Sequence, residues 1–282
     1  MTKEIAKILV SILLSVCLAA LVLSRPAPER PVAGSFERIM AGSTLRCGYV
    51  SYPPYFEMDI ATRQPRGIFA DLMAEIGSRM NVKIVWAGES SWATLTEDIR
   101  SGRFDAICSG VWQNSSRGLA AGFSLPVGYV PVGAWVRAGD NRFRTSLDLM
   151  NGPDVRVSVM DGETGELLRR QRFPDTQAVS LPQTSPFSDL MINVATGKAD
   201  VVFAENRIVA DYLKQNPGTL EMAADDNVLT AYPLVILLPG NDPQFKTAVD
   251  SALSEILYSG KMADILRKNG AGDALFLPAR PW

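Results

Sequence analysis

Two similar stretches of this 282-residue chain each lead to an apolar run with a charged residue at or near its end, an arginine in one case and a glutamate in the other. Arg117 comes shortly after one apolar run, and Glu205 ends the corresponding run in the second stretch. A planar guanidinium can hold a carboxylate through two parallel hydrogen bonds, and a carboxylate can accept from an ammonium group. Together the two side chains could bind a small zwitterion. Simpler alternatives are a surface arginine on a short helix and a glutamate that favours the dipole of a helix N-terminus.

The two stretches form a helix-to-strand repeat. Trp92 to Asp105 reads WATLTEDIRSGRFD, and Phe187 to Asp200 reads FSDLMINVATGKAD. In each, an amphipathic helix ends at a glycine, and a basic residue and then an apolar run typical of a buried strand follow. The repeat predicts two similarly built α/β lobes. In open α/β sheets ligands bind outside the carboxyl ends of the strands, which is where Arg117 and Glu205 are expected.

The elements before the first repeat unit also alternate between strand and helix. We predict a strand over residues 44–49, a helix over 67–80 and a strand over 82–88. With the repeat unit this gives the order β-α-β-α-β, which favours a parallel sheet with right-handed crossovers. The second lobe repeats this alternation.

Two long apolar stretches, residues 128–139 and 231–240, predict strands that leave the first lobe and return to it. Two crossings imply a two-strand hinge beside a cleft, a geometry suited to closure around a ligand. The predicted units are a linker of residues 25–35, a first lobe of residues 36–136 and 236–282, and a second lobe of residues 137–235.

The first 24 residues are typical of an export segment. Lys3 and Lys7 give a positive start, and Ile8 to Leu23 is an uncharged, mostly apolar run before a candidate cleavage point at Ser24. The run is shorter than the roughly 20 residues of a membrane span, but a clean cleavage motif is missing. A cleaved signal peptide and an uncleaved anchor over residues 5–23 both stay open. Either places the remainder in the periplasm.

The composition argues against several function classes. Net charge is −2 with no basic face, which argues against nucleic-acid binding. The chain has no histidine, which removes Ser-His-Asp and Cys-His catalysis and histidine metal sites. Three cysteines without a CxxC argue against a thiolate zinc site. We therefore expect no metal, no cofactor and no catalytic residue.

Cys47 and Cys108 fall near the ends of predicted strands. In an oxidising compartment they could form a disulfide. Each could equally be a small buried apolar residue, which is common for cysteine. The residues alone leave both possibilities open.

Four segments in this order resemble the extracellular solute-binding proteins of family 3. They are LRCGYVSYPPYFEMD, PRGIFADLMAEIGSRMNVKIVW, SWATLTEDIRSGRFDAICSGVWQNSSRG and VRVSVMDGETGE with GKADVVFAEN. The resemblance covers about residues 36–270 and implies the two-lobed type II periplasmic binding protein fold, an α/β fold. Each lobe would be a mostly parallel sheet flanked by helices, and a two-strand hinge would join them. Family members serve ATP-binding-cassette importers for polar amino acids.

The resemblance also implies a ligand site. Arg117 would clamp the α-carboxylate of the ligand, and Glu205, one methylene longer than the family's usual aspartate, would take the α-ammonium. Ser109, Gly110 and Thr164 would add backbone and hydroxyl donors. The alternative for these three residues is ordinary turn and capping chemistry.

Aromatic side chains would enclose the rest of the ligand. Tyr52 and Trp92 match family aromatics that sandwich the ligand side chain, although Trp92 could instead pack in the core at a helix start. Trp112 stands where the family usually has a small hydroxyl residue, and Phe69 stands where an aspartate is common. These departures leave the identity of the solute open.

The expected function is a non-catalytic, monomeric receptor for an amino acid or related zwitterion, read by the membrane permease of an ATP-binding-cassette importer. An enzyme resembling cyclohexadienyl dehydratase is an alternative. Those dehydratases use a glutamate about one turn after the ammonium-binding acid, where this chain has Ile208. An anchored sensory module is a third possibility.

Overall fold

Helices and strands alternate along the chain, and the computed structural model describes residues 34–224 and 228–271. The helices are α1 (Ser35–Gly42), α2 (Ile68–Met80), α3 (Leu95–Arg100), α4 (Ser115–Gly118), α5 (Thr164–Arg172), α6 (Ser188–Ala195), α7 (Asn206–Gln215), α8 (Pro243–Tyr258) and α9 (Lys261–Lys268). The strands are β1 (Thr44–Tyr49), β2 (Glu57–Met58), β3 (Pro65–Arg66), β4 (Lys83–Glu89), β5 (Ala106–Trp112), β6 (Gly122–Phe123), β7 (Gly128–Arg137), β8 (Arg156–Met160), β9 (Gln177–Leu181), β10 (Val201–Glu205), β11 (Leu220–Met222) and β12 (Thr230–Leu238).

The export segment, the candidate anchor over residues 5–23 and most of the linker lie outside the described residues. Ser35, placed in the linker from sequence, is the first residue of α1 instead. The predicted loop after β1 contains the short hairpin of β2 and β3. Within the described residues no helix is long and apolar enough to cross a membrane.

The main sheet runs in the order β4-β1-β5-β12-β7-β10-β8-β9. β1 pairs in parallel with β4 and β5, and β8 pairs in parallel with β9 and β10. Between these two parallel groups, the predicted hinge strands β7 and β12 pair antiparallel with each other. Helices α8 and α9 pack against α2, so the chain returns to the first lobe after β12. The two-lobed α/β fold with a two-strand hinge is confirmed.

The repeat has a structural explanation at its two aspartates. The Asp105 carboxylate accepts from the backbone N–H of Arg46 at 2.9 Å and from its Nε at 3.0 Å. Asp200 accepts from the same two atoms of Arg156 at 2.9 and 3.0 Å. Burial raises the pKa of each aspartate, but the arginine hydrogen bonds outweigh it and hold both below the usual range. Each aspartate therefore joins its strand to the parallel neighbour.

A disulfide joins Cys47 of β1 to Cys108 of β5. The two Cα atoms are 5.5 Å apart, and both residues are fully buried. The two cysteines are therefore paired, and the alternative of two separate small buried apolar residues does not hold. It ties together the two strands that lead into the loop carrying Tyr52 and the turn carrying Arg117.

Candidate ligand-binding site

A small cavity lies between the lobes, at the carboxyl ends of β5, β8 and β10. The space open to the centre of a water molecule is about 20 Å³, which is room for roughly one water. The first lobe contributes Tyr52, Trp92, Trp112 and Arg117 to its wall, and the second contributes Ser158 to Met160, Glu163 to Gly165, Phe187, Leu190 and Phe203. Five residues expected from sequence therefore line one cavity: Tyr52, Trp92, Trp112, Arg117 and Thr164.

Arg117 is a buried residue of the cavity wall, only 6% exposed. The side chain of Asn114 caps α4 by accepting from the backbone N–H of Arg117 at 2.8 Å, which positions the arginine after β5. One guanidinium nitrogen donates to the carbonyl of Trp112 at 3.1 Å, and another donates to Glu163 at 2.5 Å. The guanidinium also lies 5.7 Å from the ring centre of Trp92. The alternative of a surface arginine does not hold.

Glu163, the partner of Arg117, belongs to the second lobe and was missed in the sequence analysis. It immediately precedes α5 and is 7% exposed. Burial raises the pKa of Glu163, and Arg117 offsets this only in part. The signal was present in the motif DGETGE, where an acid precedes a helix that opens toward the expected cleft.

Glu205 ends β10 and is 1% exposed. The hydroxyl of Tyr52 donates to one carboxylate oxygen, and the hydroxyl of Tyr55 donates to the other at 2.9 Å. Both tyrosines belong to the first lobe, so these hydrogen bonds, like the Arg117–Glu163 pair, cross between the lobes. Tyr52 lines the cavity and Glu205 does not. Arg117 and Glu205 thus belong to two buried groups of hydrogen bonds between the lobes, and each charge already has protein partners.

Burial raises the pKa of Glu205 from its ordinary 4.5 to about 7, although Tyr52, Tyr55 and the Trp112 indole favour the ionised form. The indole N–H itself makes no hydrogen bond of regular geometry. The opposing effects leave a buried acid that titrates near neutral pH. Its charge, and hence its attraction for a cation, changes in that range.

This pKa predicts a pH-dependent stability. Because the folded state holds a proton between about pH 4.5 and 7 that the unfolded chain releases, stability from this group falls as pH rises through that window. Relative to Glu205→Gln, the wild type should lose on the order of 3 kcal/mol between about pH 4.5 and pH 8. Urea unfolding of both proteins across this range measures the difference. A constant difference would contradict the raised pKa.

Aromatic rings form much of the cavity wall. The ring centre of Tyr52 lies 5.3 Å from that of Trp92, edge to face, and 6.1 Å from that of Phe187. Phe187 was not expected in the site, but it aligns with Trp92 in the repeat, so the repeat itself was the signal. Trp112 stacks on Tyr232 with centres 5.1 Å apart. Trp92 also packs against the apolar core, so it serves both roles.

The expected donors divide into two groups. Thr164 lines the cavity, and its hydroxyl is buried and has no hydrogen-bond partner among the described residues. Ser109 and Gly110 do not line the cavity. The Ser109 hydroxyl accepts from the backbone N–H of Val50 at 2.9 Å. Gly110 has φ +87°, and a Cβ there would lie 2.6 Å from the Phe69 ring, so packing explains this glycine.

The described residues contain no group of three or more histidine, cysteine, aspartate or glutamate side chains placed to hold a metal ion. The cavity wall presents charges, hydroxyls and aromatic rings. These are suited to binding a small polar molecule that carries charge.

The family model described as "Bacterial extracellular solute-binding proteins, family 3" matches residues 45–271. The chain is 25% identical over 167 residues to ABC transporter arginine-binding protein 1 of Escherichia coli. The match covers 59% of this chain and 65% of that protein, just under two thirds of its length. It is also 25% identical over 191 residues to cyclohexadienyl dehydratase of Pseudomonas aeruginosa, covering 67% of this chain and 69% of that protein.

A solved structure is similar over nearly the whole described region. It is an ancestral amino acid-binding protein described as a precursor of cyclohexadienyl dehydratase, with a TM-score of 0.69 and 22% identity. The similarity covers 84% of this chain and 99% of that chain. At this identity the likeness establishes the fold.

Proposed function

Because the chain belongs to the bacterial extracellular solute-binding proteins of family 3, we propose that it is a non-catalytic receptor that captures an amino acid or a related zwitterion between its lobes. The buried Arg117 guanidinium on the cavity wall carries the proposal. An arginine that donates in two directions can hold a carboxylate, and a carboxylate is the feature that all amino acids share.

The ligand would be held from both lobes. Its carboxylate would bind Arg117 and the Thr164 hydroxyl, and its ammonium would bind the Tyr52 hydroxyl backed by Glu205. Trp92 and Phe187 would pack on its side chain. The space in the cavity that is open to the centre of a water molecule is about 20 Å³, which is too small for an amino acid. The lobes must therefore move apart to admit the ligand and close on it afterwards. Contacts made only in the closed form would drive that closure.

The partner would be the membrane permease of an ATP-binding-cassette importer, which would read the closed form. The predicted location is the periplasm, and the disulfide between Cys47 and Cys108 suits such an oxidising compartment. We propose that the protein acts as a monomer.

Native mass spectrometry of freshly purified protein tests this function. An adduct with the mass of one amino acid is expected, and calorimetric titration with that compound should give one site per chain. A protein that shows no adduct and gives no heat with any standard amino acid would contradict the proposal.

A dehydratase is the second candidate, because cyclohexadienyl dehydratase is a relative and Glu205, with a pKa of about 7, could exchange a proton near neutral pH. At the position where those dehydratases have a glutamate, this chain has Ile208, whose side chain cannot donate a proton. Glu205 itself lies behind Tyr52, away from the cavity wall. Turnover of prephenate or arogenate by the purified protein would favour the enzyme.

A further inference from the structure

Charge on the cavity wall comes from two side chains. Of the described residues that line the cavity, only Arg117 and Glu163 are charged; the others are aromatic, aliphatic, hydroxyl-bearing or glycine. Both are more than nine-tenths buried, and they bind each other across the lobes. In such surroundings a charge without a partner is costly, because neither water nor another charge compensates it.

Glu205 adds a second carboxylate just behind the wall. Its carboxylate accepts a hydrogen bond from the hydroxyl of Tyr52, which lines the cavity. When both glutamates are ionised, they and Arg117 sum to a charge of −1. The site therefore lacks one positive charge.

A neutral zwitterion cannot supply that charge. Its carboxylate would compete with Glu163 for Arg117, and its single ammonium would pair with only one of the two glutamates. One buried carboxylate would stay without a cationic partner. A guest with one carboxylate and two cationic groups would leave none unpaired.

The second cationic group would find a suitable place near Glu163. Trp92 lies against the guanidinium of Arg117, and Tyr52 lies against Trp92. Aromatic faces attract organic cations, most strongly where water is excluded. A guest ammonium or guanidinium that lies against Trp92 beside Arg117 could pair with the Glu163 carboxylate once the ligand carboxylate has taken its place on Arg117.

Resting on the proposed function, we propose that Glu163 is a specificity-determining residue, which makes the cavity select amino-acid-like guests of net charge +1 over neutral ones. Its carboxylate binds the Arg117 guanidinium, which would otherwise be free to bind the carboxylate of any amino acid. A guest must therefore compensate Glu163 as well as satisfy Arg117.

Isosteric ligand pairs test this inference. Arginine and citrulline have nearly the same shape and differ by one charge, as do lysine and 2-aminoheptanoic acid, in which a methyl group replaces the ammonium. Calorimetric titrations at about pH 8, where Glu205 is ionised, would compare each pair on the wild type and on Glu163→Gln. The matched control is Asp161→Asn, which removes the same charge from an exposed position two residues earlier in the same loop.

In the wild type, we expect arginine to bind about hundredfold more tightly than citrulline, which is the effect of one buried unpaired charge. In Glu163→Gln this ratio should fall to tenfold or less, mainly because citrulline binds more tightly, and Asp161→Asn should keep the wild-type ratio. A wild type that prefers the neutral member of each pair would overturn the inference even if the variant fails to fold. Equal ratios in the wild type and Glu163→Gln would overturn it too. Binding of none of the four ligands to any protein would overturn this inference, whereas the proposed function is tested separately by native mass spectrometry and by titration with the other amino acids.

Discussion

Replacement of Arg117 by alanine should lower the affinity for the bound amino acid about thousandfold, or about 4 kcal/mol. The variant loses the guanidinium that would hold the ligand carboxylate. It also leaves the buried Glu163 carboxylate, which lies 2.5 Å from Arg117 in the wild type, without its cationic partner and repelling the ligand carboxylate. Titration calorimetry of the wild type and the variant measures the change.

Two companion variants separate loss of the clamp from loss of folding. Arg117→Ala combined with Glu163→Gln removes both charges, so no buried carboxylate is stranded, and it should melt near the wild type while still binding poorly. Arg100→Ala removes an exposed arginine that pairs with Glu97 on the surface of the same lobe, and it should bind normally. Equal affinity of the wild type and Arg117→Ala would remove Arg117 from the site.

Loss of the disulfide should destabilise the protein by about 4 kcal/mol. The bond closes a loop between residues 61 positions apart, and such a loop restricts the unfolded chain strongly. The double variant Cys47→Ala/Cys108→Ala removes the link without leaving a buried thiol or hydroxyl. Its free energy of unfolding in urea, compared with that of the wild type, measures the effect.

Reduction of the disulfide provides an independent check on this loss of stability. Wild-type protein unfolded in the presence of a thiol reductant should lose about the same stability, while the double variant should be unaffected by the reductant. A wild type whose unfolding free energy is the same with and without reductant would show that the bond contributes nothing. If only the double variant is destabilised, the cause is the cavity left by the two sulfurs.

The repeat predicted two similarly built α/β lobes from sequence alone, because the helices and strands that it contains depend on residues close together in the chain. Amphipathic helices, glycine ends and apolar strands are set by neighbouring residues, so they could be recognised without coordinates. The aspartates of the repeat were visible too, at positions 105 and 200. Their partners, Arg46 and Arg156, lie on neighbouring strands, so their role required the tertiary structure.

The candidate site was predictable in part. Arg117 and Trp92 were identified because a guanidinium after a strand and an aromatic at a helix start follow local motifs that the family resemblance could match. Phe187 could have been added by extending the repeat. Ser109 and Gly110 matched the same motif, but a strand end has two sides, and here they face Val50 and Phe69.

By itself the sequence determined the α/β class and the two hinge strands, because each follows from a pattern over adjacent positions. With the family resemblance it also identified five of the thirteen described residues that line the cavity. Only the tertiary structure decided which charges are paired. Glu163 meets Arg117 from the opposite lobe, and Tyr52 and Tyr55 meet Glu205 in the same way. A contact between residues far apart in the chain depends on how the lobes close, and its energy depends on the exclusion of water there.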